Sequence, residues 1–290
     1  MDSSVTVVGP GRMGLTLGAA LLRTGAAERL TVFGRRPEPP SHPLFSEDAA
    51  RYVFGVEPLS GDTTALFLAV PDEVVPEMAH TLAAQGPAPE RCVAFHLSGS
   101  LSTDVLAPLH ARGYAVGAFH PLQVASRSAA SADRIAGSYV AVTGSPEATA
   151  VARLLASAMD CRLIMVAATR RPLLHAAAAL TSSYVPPLLD AAVGVMERAG
   201  VDRDEALSAL IALMRGTLSL VEEGGPAGAV AGPVAEGDVE AVTLHLRALE
   251  PEERRLYALL GRELMRLVRP GLRDDAEQEL TSAFERAARE

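Results

Sequence analysis

Val5-Thr6-Val7-Val8-Gly9-Pro10-Gly11-Arg12-Met13-Gly14 decides how the rest of the chain is read. Four residues suited to extended backbone run directly into Gly-x-Gly-x-x-Gly, and a helical pattern continues to about residue 24. In a strand that turns into a helix this way, each glycine has a separate task. Gly9 permits the tight turn, Gly11 lets backbone approach a pyrophosphate, and Gly14 lets helix and strand pack closely. Pro10, Arg12 and Met13 fill the rest of the loop. The helix start adds N–H groups without intrahelical partners and a dipole that favours an anion.

Outward from this loop, apolar runs alternate with helical patterns. Strands are expected at residues 5–8, 30–33, 65–70, 92–95, 115–118, 138–143 and 162–166, with helices beginning near Met13, Asp72, Thr103 and Pro146. Continuous apolar strands separated by helices define an α/β class with a doubly wound, mainly parallel Rossmann sheet. After about residue 167 the strand signal stops. Residues 173–199 read as an Ala- and Leu-rich helix interrupted at Pro186-Pro187. A second helix over 202–223 starts with Asp202 as N-cap and Glu205 at N3. A Gly/Pro/Ala segment over 224–237 leads to helices near 238–249, 251–268 and 274–289. The expected organisation is a nucleotide-binding domain over 1–167 and an all-helical domain over 168–290.

Composition narrows the function classes. The 290 residues are enough for two domains, and 49% of them are hydrophobic with only 4% aromatic and no Trp, which suits helices packed closely on a parallel sheet. The formal charge of −9 repels phosphate backbones, and no basic run interleaved with aromatics is present, so nucleic acid is not an expected partner. All 26 cationic residues are Arg and none is Lys, which excludes Schiff-base chemistry and any lysine acid. Cys92 and Cys161 are far apart in sequence and read as small packed residues; no metal set is expected. The N-terminal segment lacks the pattern of a secretory leader, and no apolar run is long enough to span a bilayer. A cytoplasmic protein without a membrane partner is expected.

The second strand decides between the nicotinamide cofactors. An acidic residue at its end would take the ribose 2′-hydroxyl, whereas this chain continues Phe33-Gly34-Arg35-Arg36. Two guanidiniums there suit a 2′-phosphate, so NADP(H) is the expected cofactor, with Arg12 as a further phosphate contact. The alternative is that Arg35 and Arg36 are ordinary surface charges. Val70-Pro71, at the carboxyl end of a later strand, also fits the cofactor's path, with Asp72 read as the cap of the following helix.

Two further strand ends carry polar groups, in Phe95-His96-Leu97-Ser98-Gly99-Ser100 and Phe119-His120-Pro121-Leu122-Gln123. His96, Ser98 and His120 are candidates for contact with a substrate beside the nicotinamide, and Ser98 also for contact with the cofactor itself; each also has a structural reading, as a packed histidine or a capping serine. In the helical part, His175 and Thr181-Ser182-Ser183 are about two turns apart and are expected near one helix face. Asp238 reads either as an N-cap or as a carboxylate that orients substrate.

Taken together, Gly9-Pro-Gly-Arg-Met-Gly, His96-Leu-Ser-Gly-Ser, Phe119-His-Pro-Leu-Gln, His175-Ala-Ala-Ala and Gly232-Pro-Val-Ala-Glu-Gly-Asp238 resemble a Rossmann-like bacterial family whose C-terminal half is a domain of unknown function. That family is similar to ketopantoate reductases, pyrroline-5-carboxylate reductases and deazaflavin-dependent NADP oxidoreductases. The resemblance implies a helical second domain of the 6-phosphogluconate dehydrogenase C-terminal type. The chain departs from the family at Ser182-Ser183, where Ser-Asn is common, and at Ala235-Glu236-Gly237-Asp238, where Ala-Arg-Gly-Asp is common.

The expected reaction is hydride transfer from NADPH to a small carbonyl or imine, ketopantoate-like by family neighbourhood. His175, His120 and His96 are the candidate proton donors; Ser98, Ser183 and Asp238 are the groups that orient the small-molecule substrate. A non-catalytic NADP(H)-binding or sensor protein is the alternative. A homodimer through the apolar C-terminal helices is expected in either case.

Overall fold

The computed structural model describes residues 3–126, 128–268 and 271–289. Two compact units are present, Met1–Ser182 and Ser183–Glu290. The first contains strands β1 (Ser4–Val8), β2 (Arg29–Gly34), β3 (Arg51–Phe54), β4 (Thr63–Leu68), β5 (Val93–His96), β6 (Ala115–Pro121), β7 (Tyr139–Gly144) and β8 (Arg162–Met165). Its helices are α1 (Arg12–Arg23), α2 (Pro43–Ser46), α3 (Val75–Ala84), α4 (Ala107–His110), α5 (Pro146–Ala158) and α6 (Arg171–Thr181), with 3-10 turns at Asp72–Val74, Thr103–Leu106, Ala129–Arg134 and Ala168–Arg170.

The strands form one sheet in the order β3-β2-β1-β4-β5-β6-β7-β8. Every pairing is parallel except β6 with β7. Successive side chains on β4 divide the core. Ala65 and Phe67 pack with α1 and α5 on one face, while Leu66 and Leu68 pack with α3 and α4 on the other. Burial on both faces explains why the central strands read as continuous apolar runs. Phe67, Phe95 and Phe119 meet on the first face with ring centroids 5.3 to 5.7 Å apart, so three of the seven phenylalanines sit in one cluster.

Several sequence expectations need correction. β3 was not anticipated; its four residues are too few to show a period, and the strand exists because it pairs with β2. The first unit also extends past residue 167. The side chain of Arg171 is fully buried and bonded to carbonyls of the first unit, so the start of α6 is tied to the turn after β5, and the unit ends at Ser182. The helix expected over 173–199 breaks at Ser182, ahead of the prolines, and Pro186 and Pro187 lie in the first turn of the next helix, where a missing N–H costs nothing.

In the second unit, α7 (Val185–Arg198), α8 (Arg203–Gly228), α9 (Pro233–Glu236), α10 (Val239–Ala248), α11 (Pro251–Val268) and α12 (Asp274–Arg289) follow one another. Asp202 caps α8 by accepting from the Asp204 and Glu205 N–H groups at 2.9 and 3.3 Å, as its position predicts. The helical backbone of α8 is interrupted at Gly225, and the Gly/Pro segment read as a connection contains the short helix α9. Val242, Leu246, Met265, Leu280 and Phe284 form this unit's core. Cys92 is buried, its thiol pushed up to about 12 by desolvation, and Cys161 is half-buried; both are free thiols. No helix among the described residues is long and apolar enough to cross a membrane.

Candidate functional site

The carboxyl ends of β1, β2, β4, β5 and β6 lie side by side and carry almost every residue singled out in the first unit. At the first of these ends the glycine loop has the geometry that its spacing requires. Gly9 has φ +104°, and a Cβ there would stand 2.5 Å from the Ala69 carbonyl oxygen. A Cβ on Gly14 would stand 2.1 Å from the Gly9 oxygen and 3.0 Å from Ala69 Cβ, so α1 and β4 meet across that missing atom. Gly11 differs: it is exposed, and the nearest atom to a Cβ there is 3.9 Å away. No side chain caps α1. The loop is therefore sealed below by Gly9 and Gly14 and open above Gly11, where α1 presents its first N–H groups, and a pyrophosphate fits that cradle. Arg12 and Met13 flank it, Arg12 exposed and Met13 half-buried. Pro10 is half-buried in the turn, Val70 packs against Gly9, and Pro71 leads the chain out of the sheet.

Arg35 and Arg36 are both exposed just beyond β2. Their backbone is held by a residue that the sequence did not reveal. The Tyr52 hydroxyl on β3 donates 2.7 Å to the Arg36 carbonyl, and a Cβ on Gly34 would lie 2.2 Å from that hydroxyl oxygen. Finding Tyr52 required β3, whose signal was too short.

The ends of β5 and β6 carry a polar cluster. Asp72 is not a helix cap: its Oδ2 accepts from the hydroxyls of Ser98 at 2.6 Å and Ser100 at 3.1 Å. Ser98 Oγ also accepts from the Ser100 and Leu101 N–H groups at 3.1 and 3.0 Å, so this hydroxyl organises the turn after β5. Arg171 holds the same turn from behind, donating to the Leu101 carbonyl at 3.0 Å, to Thr143 Oγ1 at 3.2 Å and to the Ser98 carbonyl. A cation bound this way is a structural clamp, with its charge felt by the groups around it.

The histidines divide by environment. His96 has no exposed surface, neither ring nitrogen has a hydrogen-bond partner, and its pKa falls to about 4, chiefly through desolvation and then through the Arg171 charge. The structure thus does not bring His96 to a substrate. His120 is half-buried, and its Nδ1 lies 2.8 Å from the Leu97 carbonyl. A carbonyl only accepts, so Nδ1 carries the proton and Nε2 holds the lone pair in the neutral ring. Burial lowers its pKa, the nearby His175 and Arg171 lower it further, and the Leu97 contact and Asp72 act in the opposite direction. His175 is exposed on α6 and meets His120 edge to face, with ring centroids 5.7 Å apart.

Ser183 and Asp238 belong to the second unit. Ser183 does not continue the face of His175, because α6 ends at Thr181. Asp238 caps α10 by accepting from the Ala241 N–H at 2.9 Å.

Residues 2–121 match the family of Rossmann-like domains, and residues 138–264 match the domain of unknown function DUF2520. The chain thus matches a Rossmann-like domain and then a DUF2520 domain, the pairing that the sequence motifs resemble. Comparison with curated proteins finds no match. Among solved structures, protein BF3122 from Bacteroides fragilis is similar at 22% identity, covering 91% of this chain and 98% of that one with a TM-score of 0.71. Protein TM1727 from Thermotoga maritima is similar at 17% identity over 97% of this chain and 98% of its own, TM-score 0.63. The Plasmodium falciparum pyrroline carboxylate reductase, solved with NADP bound, is similar at 11% identity over 99% of each chain, TM-score 0.60. These likenesses establish the fold.

Proposed function

We propose that this protein is an NADP(H)-dependent oxidoreductase that reduces a small carbonyl or imine. The observation that carries the reading is the shared sheet edge: a glycine cradle sealed at Gly9 and Gly14, Arg35 and Arg36 beside it, and the His120–His175 pair at the end of the neighbouring strands. The same fold in a pyrroline carboxylate reductase solved with NADP supports it.

Gly9, Pro10, Gly11, Arg12, Met13 and Gly14 would hold the pyrophosphate, Arg35 and Arg36 the adenosine-side phosphate, and Val70 and Pro71 the path between the two ends. When bound, the cofactor supplies a hydride for the carbonyl or imine carbon. Protonated at Nε2, His120 delivers the proton to the oxygen or nitrogen, and the products are an alcohol or amine and the oxidised cofactor. Ser98 acts on substrate indirectly, fixing the turn between the two histidines. Ser183 and Asp238 remain candidate substrate-orienting groups from the second unit. A ketopantoate-like substrate rests on family neighbourhood alone.

A homodimer is part of this reading. Leu188, Leu207, Leu213 and Leu218 on α7 and α8 are exposed, Leu213 by 68%, which suits a covered face between two copies. Sedimentation that finds only monomer at micromolar concentration sinks this part.

NADPH oxidation on a panel of cyclic imines and 2-oxo acids tests the function. Turnover of one class with equimolar NADPH consumption supports it. Tight NADPH binding without turnover of any panel member favours the second reading, a non-catalytic NADP(H)-binding or sensor protein. That reading draws on the absence of lysine, on the burial of Arg171, and on Ser183 and Glu236 standing where Asn and Arg are common in the family that the motifs resemble.

A further inference from the structure

Gly99 lies between the two histidines. A Cβ built on it would stand 2.3 Å from His175 Nδ1 and 2.9 Å from His120 Nε2, far inside contact distance for both. Both nitrogens thus converge on the one point that a side chain would occupy. They come from separate elements, His120 from β6 and His175 from α6, and each is anchored to the turn after β5. His120 is tied to the Leu97 carbonyl. α6 is tied at its first residue, where Arg171 grips the turn that contains Gly99.

We propose that Gly99 is a positioning residue whose missing side chain lets His120 Nε2 and His175 Nδ1 share a single proton, so that the pair acts as one proton donor. This rests on the reductase reading for its use, though the sharing itself is a property of the protein alone. In the singly protonated pair, the proton sits on Nε2 of His120 or Nδ1 of His175. The nitrogen without it accepts directly or through one water. Delivery to substrate leaves both rings neutral, and a solvent proton restores the pair through exposed His175. A second proton is opposed by the first. At His120 the Arg171 charge disfavours protonation and the Asp72 charge favours it, while His96 beneath is closed to solvent and neutral near pH 7.

The test is titration of the imidazole nitrogens by NMR in the full-length protein without ligand. Coupled groups show the same macroscopic midpoints at both rings. Wild type is expected to give biphasic curves with shared midpoints at His120 and His175. In His175→Asn the His120 curve becomes monophasic, and its main midpoint moves by about one unit or more, the coupling that shared midpoints require. Gly99→Ala separates the rings and gives two independent curves; if that variant fails to fold, His175→Asn, at an exposed position, carries the test alone.

Simple, independent wild-type curves that are unchanged by substitution of the partner overturn the proposal. Shared midpoints in a protein that turns over no substrate support the pair and count against the reductase reading. Turnover combined with independent titrations does the reverse.

Discussion

The Tyr52 hydroxyl donates a 2.7 Å hydrogen bond to the carbonyl oxygen of Arg36, two strands from the glycine loop. A residue of β3 thereby fixes the backbone that carries Arg35 and Arg36. Tyr52→Phe removes one neutral hydrogen bond of about 1 kcal/mol, so NADPH affinity should fall roughly fivefold. Affinity for a cofactor lacking the 2′-phosphate should change less. Titration of both cofactors checks this; equal losses would separate Tyr52 from the arginines.

Gly14 and Gly11 should respond differently to the same added methyl. Gly14→Ala drives a Cβ to 2.1 Å from the Gly9 carbonyl oxygen, and overpacking of this kind costs roughly 1–3 kcal/mol, so both stability and binding should suffer. Gly11→Ala meets nothing closer than 3.9 Å and should leave the denaturation midpoint nearly unchanged while weakening NADPH binding. Urea unfolding and calorimetry on the two variants distinguish packing from ligand approach.

Much of this was legible in the sequence. The loop Gly9–Gly14, the parallel strands and the Asp202 cap follow from rules that act over a few residues, and local spacing reports them well. What stayed hidden depends on contacts between distant segments. β3 is a strand because β2 offers it a ladder, and α6 belongs to the first unit because Arg171 reaches carbonyls some seventy residues away. Asp72 looked like a cap because it precedes a helix, but two serines from the next strand end claim its carboxylate. The three histidines were indistinguishable as letters. Burial separates closed His96 from the facing pair, and no local pattern encodes burial of that kind.

Arg171 should prove important for stability. Its three hydrogen bonds reach two carbonyls and a hydroxyl in different directions, which a lysine cannot reproduce. Arg171→Lys is expected to cost about 1–3 kcal/mol for each polar group left unpaired, read as a lower urea midpoint. Unchanged stability would contradict its role as a clamp.

Acid sensitivity should trace in part to His96. Its folded pKa of about 4 lies below the ordinary 6.5, so between these values the unfolded chain binds the extra proton, and stability falls as pH falls through that window. The contribution is at most about 1.4 kcal/mol per pH unit. His96→Leu should flatten the dependence of the urea midpoint between pH 6.5 and 4, leaving what His120 and the buried His42 contribute. An equally steep profile in the variant would remove His96 as a source.

The most direct measurement is calorimetric titration of wild type and the Arg35→Ala/Arg36→Ala double variant with NADPH and NADH. Wild type is predicted to bind NADPH at least about tenfold more tightly than NADH, a difference of about 1.4 kcal/mol, and the double variant to lose that preference while retaining NADH binding. Absence of binding heat with either cofactor, or a preference untouched by removing both guanidiniums, would contradict the account.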